Sequence, residues 1–146
     1  MSGTSPIGSF GFKVIVTIDE RDTELGLFQE VSGLSAQVNV EDIVEGGSNT
    51  TRKLVGISSY SNIVLKRGIC KASMYGWIAG FLTGEKRQRL SGKIQILGDD
   101  GNPVKVFSFI KGVPVKWDGP SLNVMSDAIA TESLEIAHEG LIMSDN

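Results

Sequence analysis

Apolar and polar residues alternate near the start of the chain, which is the pattern of a half-buried β-strand. Between residues 10 and 19, every second residue is apolar. The apolar positions are Phe10, Phe12, Val14, Val16 and Ile18. Because successive side chains of a strand point to opposite faces, a period of two places all of them on one face. The segment is therefore predicted to be a strand that packs this face on a core.

Residues 27–44 are predicted to form one long two-faced strand that bends or bulges at Gly33. After Gly33, small apolar residues alternate with polar ones. The apolar set is Ala36, Val38 and Val40, and the polar set is Gln37, Asn39 and Glu41. This alternation is typical of an antiparallel strand with one buried face.

The following segment, residues 45–62, has few apolar side chains and no consistent period. We expect a long polar loop here. Loops of this length are uncommon inside a compact domain and are usually functional or flexible. The sequence therefore predicts that something outside the domain orders this segment.

One segment, residues 73–82, has the period of a helix. Its apolar residues recur at intervals of three and four, which places them on one stripe. They are Met74, Trp77, Ile78, Phe81 and Leu82. Ser73 is the expected N-cap and Gly84 the expected C-terminal glycine. Gly76 and Gly80 each weaken a helix by about 1 kcal/mol relative to alanine, so packing must hold it, and they would let it lie close against a sheet.

The rest of the chain is again predicted to be strands. They cover residues 63–68, 90–97, 104–110, 113–117 and 128–141, with a turn at residues 99–103. The total is about seven or eight strands and one helix. The predicted fold is mainly β, an antiparallel β-sandwich or barrel with one flanking α-helix, in a single domain over residues 1–146.

Composition and charge narrow the classes of function. Of the 146 residues, 40% are hydrophobic and 21% are charged, which suits a globular domain. Apolar runs are far shorter than the ~20 residues that cross a bilayer, so we expect no membrane insertion. Residues 1–8 lack the pattern of a signal peptide, and we expect the chain to be made in the cytoplasm without one. The net charge of −3 argues against tight binding to nucleic acid.

The single histidine, His138, has two interpretations. It would be a general base if Glu135 or Glu139 oriented it, or it makes a structural hydrogen bond at the end of a strand. Because an active site needs a constellation of groups, we favour the structural interpretation. The single cysteine, Cys70, is expected to be a small core residue and excludes an internal disulfide.

Metal and nucleotide sites are not expected. One histidine and one cysteine are too few for a zinc site. The acidic residues around Gly101 lack the spacing of a calcium loop, and the pair Gly46 and Gly47 lacks the lysine of a phosphate-binding loop. We therefore predict no catalytic residue, no metal and no cofactor, and expect a chain that is not an enzyme.

Several segments, taken in order, resemble the inner tail tube proteins of contractile phage tails and of phage-tail-like extracellular contractile injection systems. They are FQEVSGL (28–34), EGG (45–47), NIVLKRG (62–68), WI (77–78), PV (103–104) after the Asp-Gly turn, PVKWDGP (114–120) and ESLEIAHEGL (132–141). The resemblance covers residues 10 to 141 or so.

The resemblance implies a barrel-like protomer with a flanking helix, similar to the ring protein of type VI secretion. It implies that six protomers form a ring and that rings stack into a rigid tube inside a contractile sheath. The tube would conduct DNA or protein cargo. The implied partners are further copies of the chain, the sheath protein, and the baseplate hub or spike and tube-terminating proteins, in a virion or an injection particle.

Two hypotheses name residues within this assembly. Residues 45–62 would form an arm that contacts a neighbouring protomer or ring. The interface candidates are Glu45, Gly46, Gly47, Ser48, Asn49, Thr50, Arg52, Lys53 and Tyr60. The candidates to line a neutral or negative lumen are Gln37, Asn39, Glu41, Thr131, Ser133 and Glu135. The alternatives are that these polar faces meet bulk water, and that the chain is a monomeric β-barrel carrier of a small ligand.

Overall fold

The computed structural model describes residues 11–44, 46–47, 49–122, 125 and 131–145, and these form nine strands and one helix. In chain order the elements are β1 (Phe12–Ile18), β2 (Arg21–Ser32), β3 (Ala36–Val44), β4 (Thr51–Tyr60), β5 (Ile63–Cys70), α1 (Ala72–Thr83), β6 (Leu90–Leu97), β7 (Pro103–Asp118), β8 (Glu132–Ala137) and β9 (Gly140–Asp145).

Six strands close into an antiparallel barrel in the order β6-β1-β2-β5-β8-β7, and β7 pairs back with β6. Strand β7 has 16 residues and is long enough to serve three neighbours. Its first half pairs with β6 and with β9, and its second half pairs with β8. The predicted antiparallel barrel with one helix is confirmed.

The barrel interior is filled by apolar side chains from its strands and from α1. The alternation predicted in β1 is confirmed, because Val14 and Val16 are fully buried. Phe28 and Phe109 are the largest fully buried side chains. Each such residue contributes about 1.5–3 kcal/mol through burial. Phe10, assigned to the first strand from the sequence, lies outside the described residues.

The predicted helix is present, but its first turn differs from the prediction. Ser73 is not the N-cap: Lys71 holds that position without a side-chain cap, and the Ser73 hydroxyl donates to the carbonyl oxygen of Glu24 at 3.0 Å. Gly84 ends the helix as expected, with φ at +78°. Leu82 is 72% exposed, so its place on the buried stripe was wrong.

The close approach predicted for the helical glycines also differs. A Cβ at Gly80 would lie 2.4 Å from the carbonyl oxygen of Lys86, so this glycine accommodates the chain that follows the helix and not a sheet. At Gly76 a Cβ would meet no atom within 4 Å. The exposed side of α1 at Gly76 therefore remains uncovered within the protomer.

The structure has nine strands where about seven or eight were predicted, because β4 lies in the predicted loop and residues 27–44 divide between β2 and β3. Two other segments are divided differently. Segments 104–110 and 113–117 form the single strand β7, which passes through Lys111 at a φ of +52°. Segment 128–141 contains β8 and β9, separated at His138 and Glu139, and its residues 128–130 lie outside the described part.

The single long strand predicted over residues 27–44 is also wrong. The chain leaves the barrel at Gly33, whose φ is +85°, and β3 belongs to a separate two-stranded sheet with β4. The long loop predicted over residues 45–62 is contradicted as well, because β4 occupies ten of those residues. Strand β4 is ordered by backbone pairing with β3 and buries neither face in the barrel, so it has no hydrophobic period.

Candidate assembly surface

Strands β3 and β4 form a hairpin that prolongs the β2–β5 pair beyond the barrel; we name residues 36–60 the arm. Every residue of β3 is exposed, and so is every residue of β4 except Tyr60. A two-stranded hairpin alone is only marginally stable in water. The whole arm is therefore held by backbone pairing between β3 and β4, without burial of either face in the barrel.

The arm carries large apolar side chains that the protomer leaves in solvent. Val40 lies opposite Val55 in the register, with 51% and 68% of their surfaces exposed. Residues opposite each other in an antiparallel pair share one face. The other exposed apolar residues of the arm are Val38, Ile43, Val44, Leu54 and Ile57. The register places Val40, Val44 and Val55 on one face of the hairpin and Ile43 and Leu54 on the other. Exposed apolar side chains in this number are typical of an interaction surface.

The structure brings the interface residues predicted from the sequence together on this arm, but on a strand and its turn instead of a loop. Gly46, Gly47, Asn49 and Thr50 lie in the turn, Arg52 and Lys53 lie in β4, and Tyr60 ends β4 at the barrel. Glu45 and Ser48 fall outside the described residues. Lys53 forms a salt bridge with Asp42 opposite it.

Sequence reasoning missed the apolar residues of the arm as interface candidates. The β-branched residues Val38, Val40, Ile43 and Val44, followed by Val55 and Ile57, were the available signal. Residues of this type favour a pleated surface that is at least half buried. Their exposure here is the observation that separates the arm from an ordinary surface hairpin.

The root of the arm is fixed to the barrel by polar contacts. The Ser35 hydroxyl donates to the Ser61 hydroxyl oxygen at 2.9 Å. The side-chain amide of Asn62 donates to Glu135 Oε2 at 2.8 Å. Gly33 packs so tightly that an added Cβ would lie 1.9 Å from the carbonyl oxygen of Asn62. The arm therefore leaves the barrel in a defined direction.

His138 joins this root, which confirms its structural interpretation. Its Nδ1 lies 3.0 Å from the carbonyl oxygen of Gly140, and its Nε2 lies 3.1 Å from that of Ser61. Its ring also contacts the Tyr60 ring at a centroid distance of 5.4 Å. The two acids considered as its catalytic partners are engaged elsewhere. Glu135 accepts from Asn62, and Glu139 pairs with Arg89 at 2.9 Å.

Replacing His138 with leucine is expected to lower the free energy of unfolding by about 1–2 kcal/mol. Leucine has a side chain of similar length, but it is apolar and loses both contacts of the His138 ring with carbonyl oxygens. His138→Phe is the matched control, since it keeps a ring against Tyr60 and separates ring packing from hydrogen bonding. Urea denaturation of the three proteins measures the effect. A His138→Leu protein with the wild-type midpoint would show that these contacts contribute nothing.

The lumen candidates lie on two different elements. Gln37, Asn39 and Glu41 lie on β3 in the arm, whereas Ser133 and Glu135 lie on β8 and Thr131 just precedes β8. The β8 group, Ser133 and Glu135, borders an open pocket whose lining includes both positively and negatively charged side chains. The pocket is lined by Val64, Lys66, Lys116, Asp118, Ser133, Leu134 and Glu135.

Glu132 ties three strands of the barrel together. Its Oε2 accepts from the backbone N–H of Cys70 at 2.8 Å, and its Oε1 accepts from Trp117 Nε1 at 3.1 Å. Cys70 is half-buried and packs against the core, as expected. Burial, together with the charge of Glu132, raises the pKa of the Cys70 thiol to about 12. The thiol is therefore protonated in the folded protein at neutral pH.

We expect the stability of the protein to fall as the pH rises above about 9, in part through Cys70. The raised pKa of Cys70 means that the unfolded chain releases this proton first, so the contribution is complete below the unfolded pKa and is lost as the pH approaches 12. The urea midpoint of wild type and Cys70→Ala, compared between about pH 8 and pH 10, isolates the effect. Parallel curves for the two proteins would contradict it.

Two further observations concern other classes of function. Within the described ranges, no group of three or more histidine, cysteine, aspartate or glutamate residues is arranged to hold a metal ion. Among the same residues, no helix has the length and apolar character needed to span a membrane.

Comparison with known proteins identifies the family. The family model described as T4-like virus tail tube protein gp19 matches residues 8–142. The chain belongs to this tail tube family. It is therefore a structural protein of a tube, and the resemblance seen in the sequence is confirmed. No curated protein matches the chain with significance.

Solved structures agree with the tail tube assignment. A chain of the anti-feeding prophage baseplate is 26% identical with a TM-score of 0.73, covering 99% of this chain and 98% of that one. A chain of the PVC sheath–tube complex of an extracellular contractile injection system is 23% identical with a TM-score of 0.71, covering both chains fully. Hcp1 from Flavobacterium johnsoniae, at 13% identity and a TM-score of 0.51, covers 94% and 97% and shares the fold. The monomeric ligand carrier is not favoured by these relatives.

Proposed function

We propose that six copies of this tail tube chain form a ring and that rings stack into the rigid inner tube of a contractile tail or injection particle. The arm is the observation that carries the proposal. Its exposed valines and isoleucines need a covering partner, and identical copies supply one at every position of a tube. Rings and stacks use heterologous interfaces, in which one patch of a copy meets a different patch of the next.

The arm is proposed to make the contact between neighbouring protomers or rings. Support comes from the closed barrel, whose six strands pair with one another and leave β9 and the arm as the unpaired edges among the described residues. Unpaired strand edges are sites of association between chains. The interface includes the turn residues and β4 together with the apolar residues of the arm.

The proposed partners beyond the chain itself are a contractile sheath protein and the baseplate and tube-terminating proteins. Support comes from the relatives, which belong to a baseplate, to a sheath–tube complex and to terminating caps. The tube would conduct DNA or protein cargo and perform no catalysis. We propose that the chain is made in the cytoplasm and assembled into a virion or an injection particle.

The lumen is proposed to be lined by polar strand faces, with the β8 group as one candidate and the β3 group as the other. The chain carries a net charge of −3, and a wall that is neutral or negative overall would let DNA or acidic cargo slide without sticking. The neighbouring lysines Lys66 and Lys116 make the β8 face mixed in charge. A strongly positive inner surface in a reconstructed tube would contradict this proposal.

Negative-stain electron microscopy and size-exclusion chromatography of the purified chain test the proposal. We expect rings or tubes. A protein that stays monomeric at high concentration would overturn it and would favour a carrier. Against a carrier stands the barrel interior, which is filled by side chains such as Phe28 and Phe109.

A deletion of residues 46–58 tests the role of the arm. It removes the turn and most of β4 but no strand of the barrel. We expect a folded monomer that does not stack. Tubes of normal length from this variant would refute the contact.

A further inference from the structure

Both ring nitrogens of His138 face backbone carbonyl oxygens. Nδ1 lies 3.0 Å from the carbonyl oxygen of Gly140, at the start of β9. Nε2 lies 3.1 Å from the carbonyl oxygen of Ser61, at the root of the arm. A neutral imidazole carries a proton on one nitrogen only, whereas the charged imidazolium donates from both. Only the charged ring can therefore make both hydrogen bonds.

In the neutral ring one nitrogen must turn a lone pair toward a carbonyl oxygen, and the surroundings select which one. The contact with Gly140 is partly buried, and the contact with Ser61 is exposed. A buried acceptor that loses its donor costs more free energy than an exposed one, because water satisfies the exposed one. The proton of the neutral ring is therefore expected on Nδ1, toward Gly140, and the hydrogen bond to Ser61 is the one that is lost.

We propose that His138 makes the root of the arm sensitive to pH. When the ring is charged, Nε2 donates to the carbonyl oxygen of Ser61 and ties the arm to the start of β9. When the ring loses its proton, this bond opens while the bond to Gly140 remains. The arm is therefore held more firmly in mildly acidic solution than above neutral pH. This device belongs to the protomer and does not depend on the proposed assembly.

An aromatic contact on the arm favours the same charged form. The rings of Tyr60 and His138 have their centroids 5.4 Å apart, and a cation within about 6 Å of an aromatic centroid is attracted to the ring. Tyr60 is the last residue of β4, so this contact also holds the arm. Phenols titrate only at about pH 10, so this ring stays neutral in the range in which histidine changes charge. From β7, the uncharged ring of Phe109 lies at 6.2 Å.

The charged groups on the elements around His138 are engaged with other partners. Glu135 on β8 accepts a hydrogen bond from the side-chain amide at the arm's root. Glu139, in the turn after β8, pairs with Arg89 at 2.9 Å and with Lys111 of β7 at 3.8 Å. Among the described residues, His138 itself forms no ion pair. The charge on its ring therefore acts through the two carbonyl oxygens and the aromatic contact.

The composition of the chain isolates this effect, because His138 is its single histidine. Histidine is the side chain that ordinarily changes charge between about pH 5 and 8. Cys70, the single cysteine, has its pKa raised to about 12 and keeps its proton in this range. Free histidine titrates at about pH 6.5, so the added hydrogen bond is expected to contribute fully below that pH and to be lost as the pH rises.

Amide hydrogen exchange at the arm's root tests the proposal. In wild type, we expect the amides of residues 59–61 to exchange about fivefold more slowly at about pH 5.5 than at about pH 7.5, after correction for intrinsic rates. This is roughly the factor that one ordinary hydrogen bond contributes. Amides of the paired strands β1 and β2 are the internal reference and should show no such change. Equal protection of residues 59–61 at the two pH values would overturn the proposal.

Two variants separate the ring from a general effect of charge. In His138→Gln, the side-chain amide is a donor that does not titrate, so protection at the arm's root should no longer depend on pH. His138→Gln with Ser91→His is the matched control, because it restores one histidine at an exposed position of β6. It should also show no pH dependence at the root. Circular dichroism establishes that both variants are folded. A pH dependence that persists in either variant would assign the effect to another group.

Nitrogen-15 NMR of the His138 ring identifies which bond opens. We expect both ring nitrogens to carry protons at about pH 5.5 and only Nδ1 to carry one well above the pH of about 6.5 at which free histidine titrates. A neutral ring protonated at Nε2 would leave the bond to Ser61 in place and overturn the proposal. These measurements are made below the concentration at which copies associate. Wild-type protein that never forms rings or tubes would overturn the proposed function and leave this test intact.

Discussion

Gly33→Ala is expected to abolish tube formation and to lower the free energy of unfolding by about 3 kcal/mol or more. The φ of +85° at this position disfavours any residue with a Cβ, and that atom would lie 1.9 Å from the carbonyl oxygen of Asn62. Because the obstacle is backbone, no side-chain rotation relieves it. The root of the arm must open, which misdirects the arm and strains the start of β5.

Gly46→Ala is the matched control for this substitution. It lies in the turn of the same arm, and a Cβ there meets no atom within 4 Å. We expect wild-type stability and normal tubes from Gly46→Ala. Urea denaturation gives the stabilities and electron microscopy gives the tubes. A Gly33→Ala protein with the wild-type midpoint would contradict the tight packing at the root.

A second large effect is expected from replacing the apolar pair on the arm with Val40→Glu and Val55→Lys. These residues lie opposite each other, so opposite charges there keep a favourable cross-strand pair and the hairpin itself is retained. The apolar face is lost, however. We expect a monomer whose barrel stability stays within about 0.5 kcal/mol of wild type, since both positions are exposed in the protomer.

The matched control carries Val40→Ile and Val55→Ile. It keeps two β-branched apolar side chains at the same positions and should still form tubes. Sedimentation velocity and electron microscopy distinguish monomer from tube. Normal tubes from the charged pair would show that this face of the arm does not carry the assembly.

Elements that bury a face in their own barrel could be predicted from the sequence. The alternation in β1 places Val14 and Val16 in the core, and the helical period places Met74, Trp77 and Ile78 there. The Asp-Gly pair of the turn before β7 was equally informative. In these elements the hydrophobic period reflects burial within the same chain, so the positions predicted to be buried are buried in the structure.

The arm could not be predicted correctly because neither of its faces packs on its own barrel. In β3 the apolar positions Ala36, Val38 and Val40 predict a buried face, yet the protomer leaves them exposed. The pairing of β4 with β3 shifts between Val38 and Val40 of β3, and this irregularity further obscures the period of β4. Long-range pairing had no local signal either. The predicted strands 104–110 and 113–117 left out Lys111 and Gly112, although Gly112 is buried in β7, where a Cβ would lie 2.5 Å from the Phe109 ring.

The place of Trp77 gives the chain an intrinsic optical reporter. This indole is 7% exposed and packs in the core between α1 and the barrel, whereas the other tryptophan, Trp117, is only partly buried and donates to Glu132. Emission from Trp77 should therefore lie at short wavelength in the folded protomer and shift to the red when water enters the core. With Trp117→Phe as background, this red shift would follow the opening of the core around α1 in real time without any added dye.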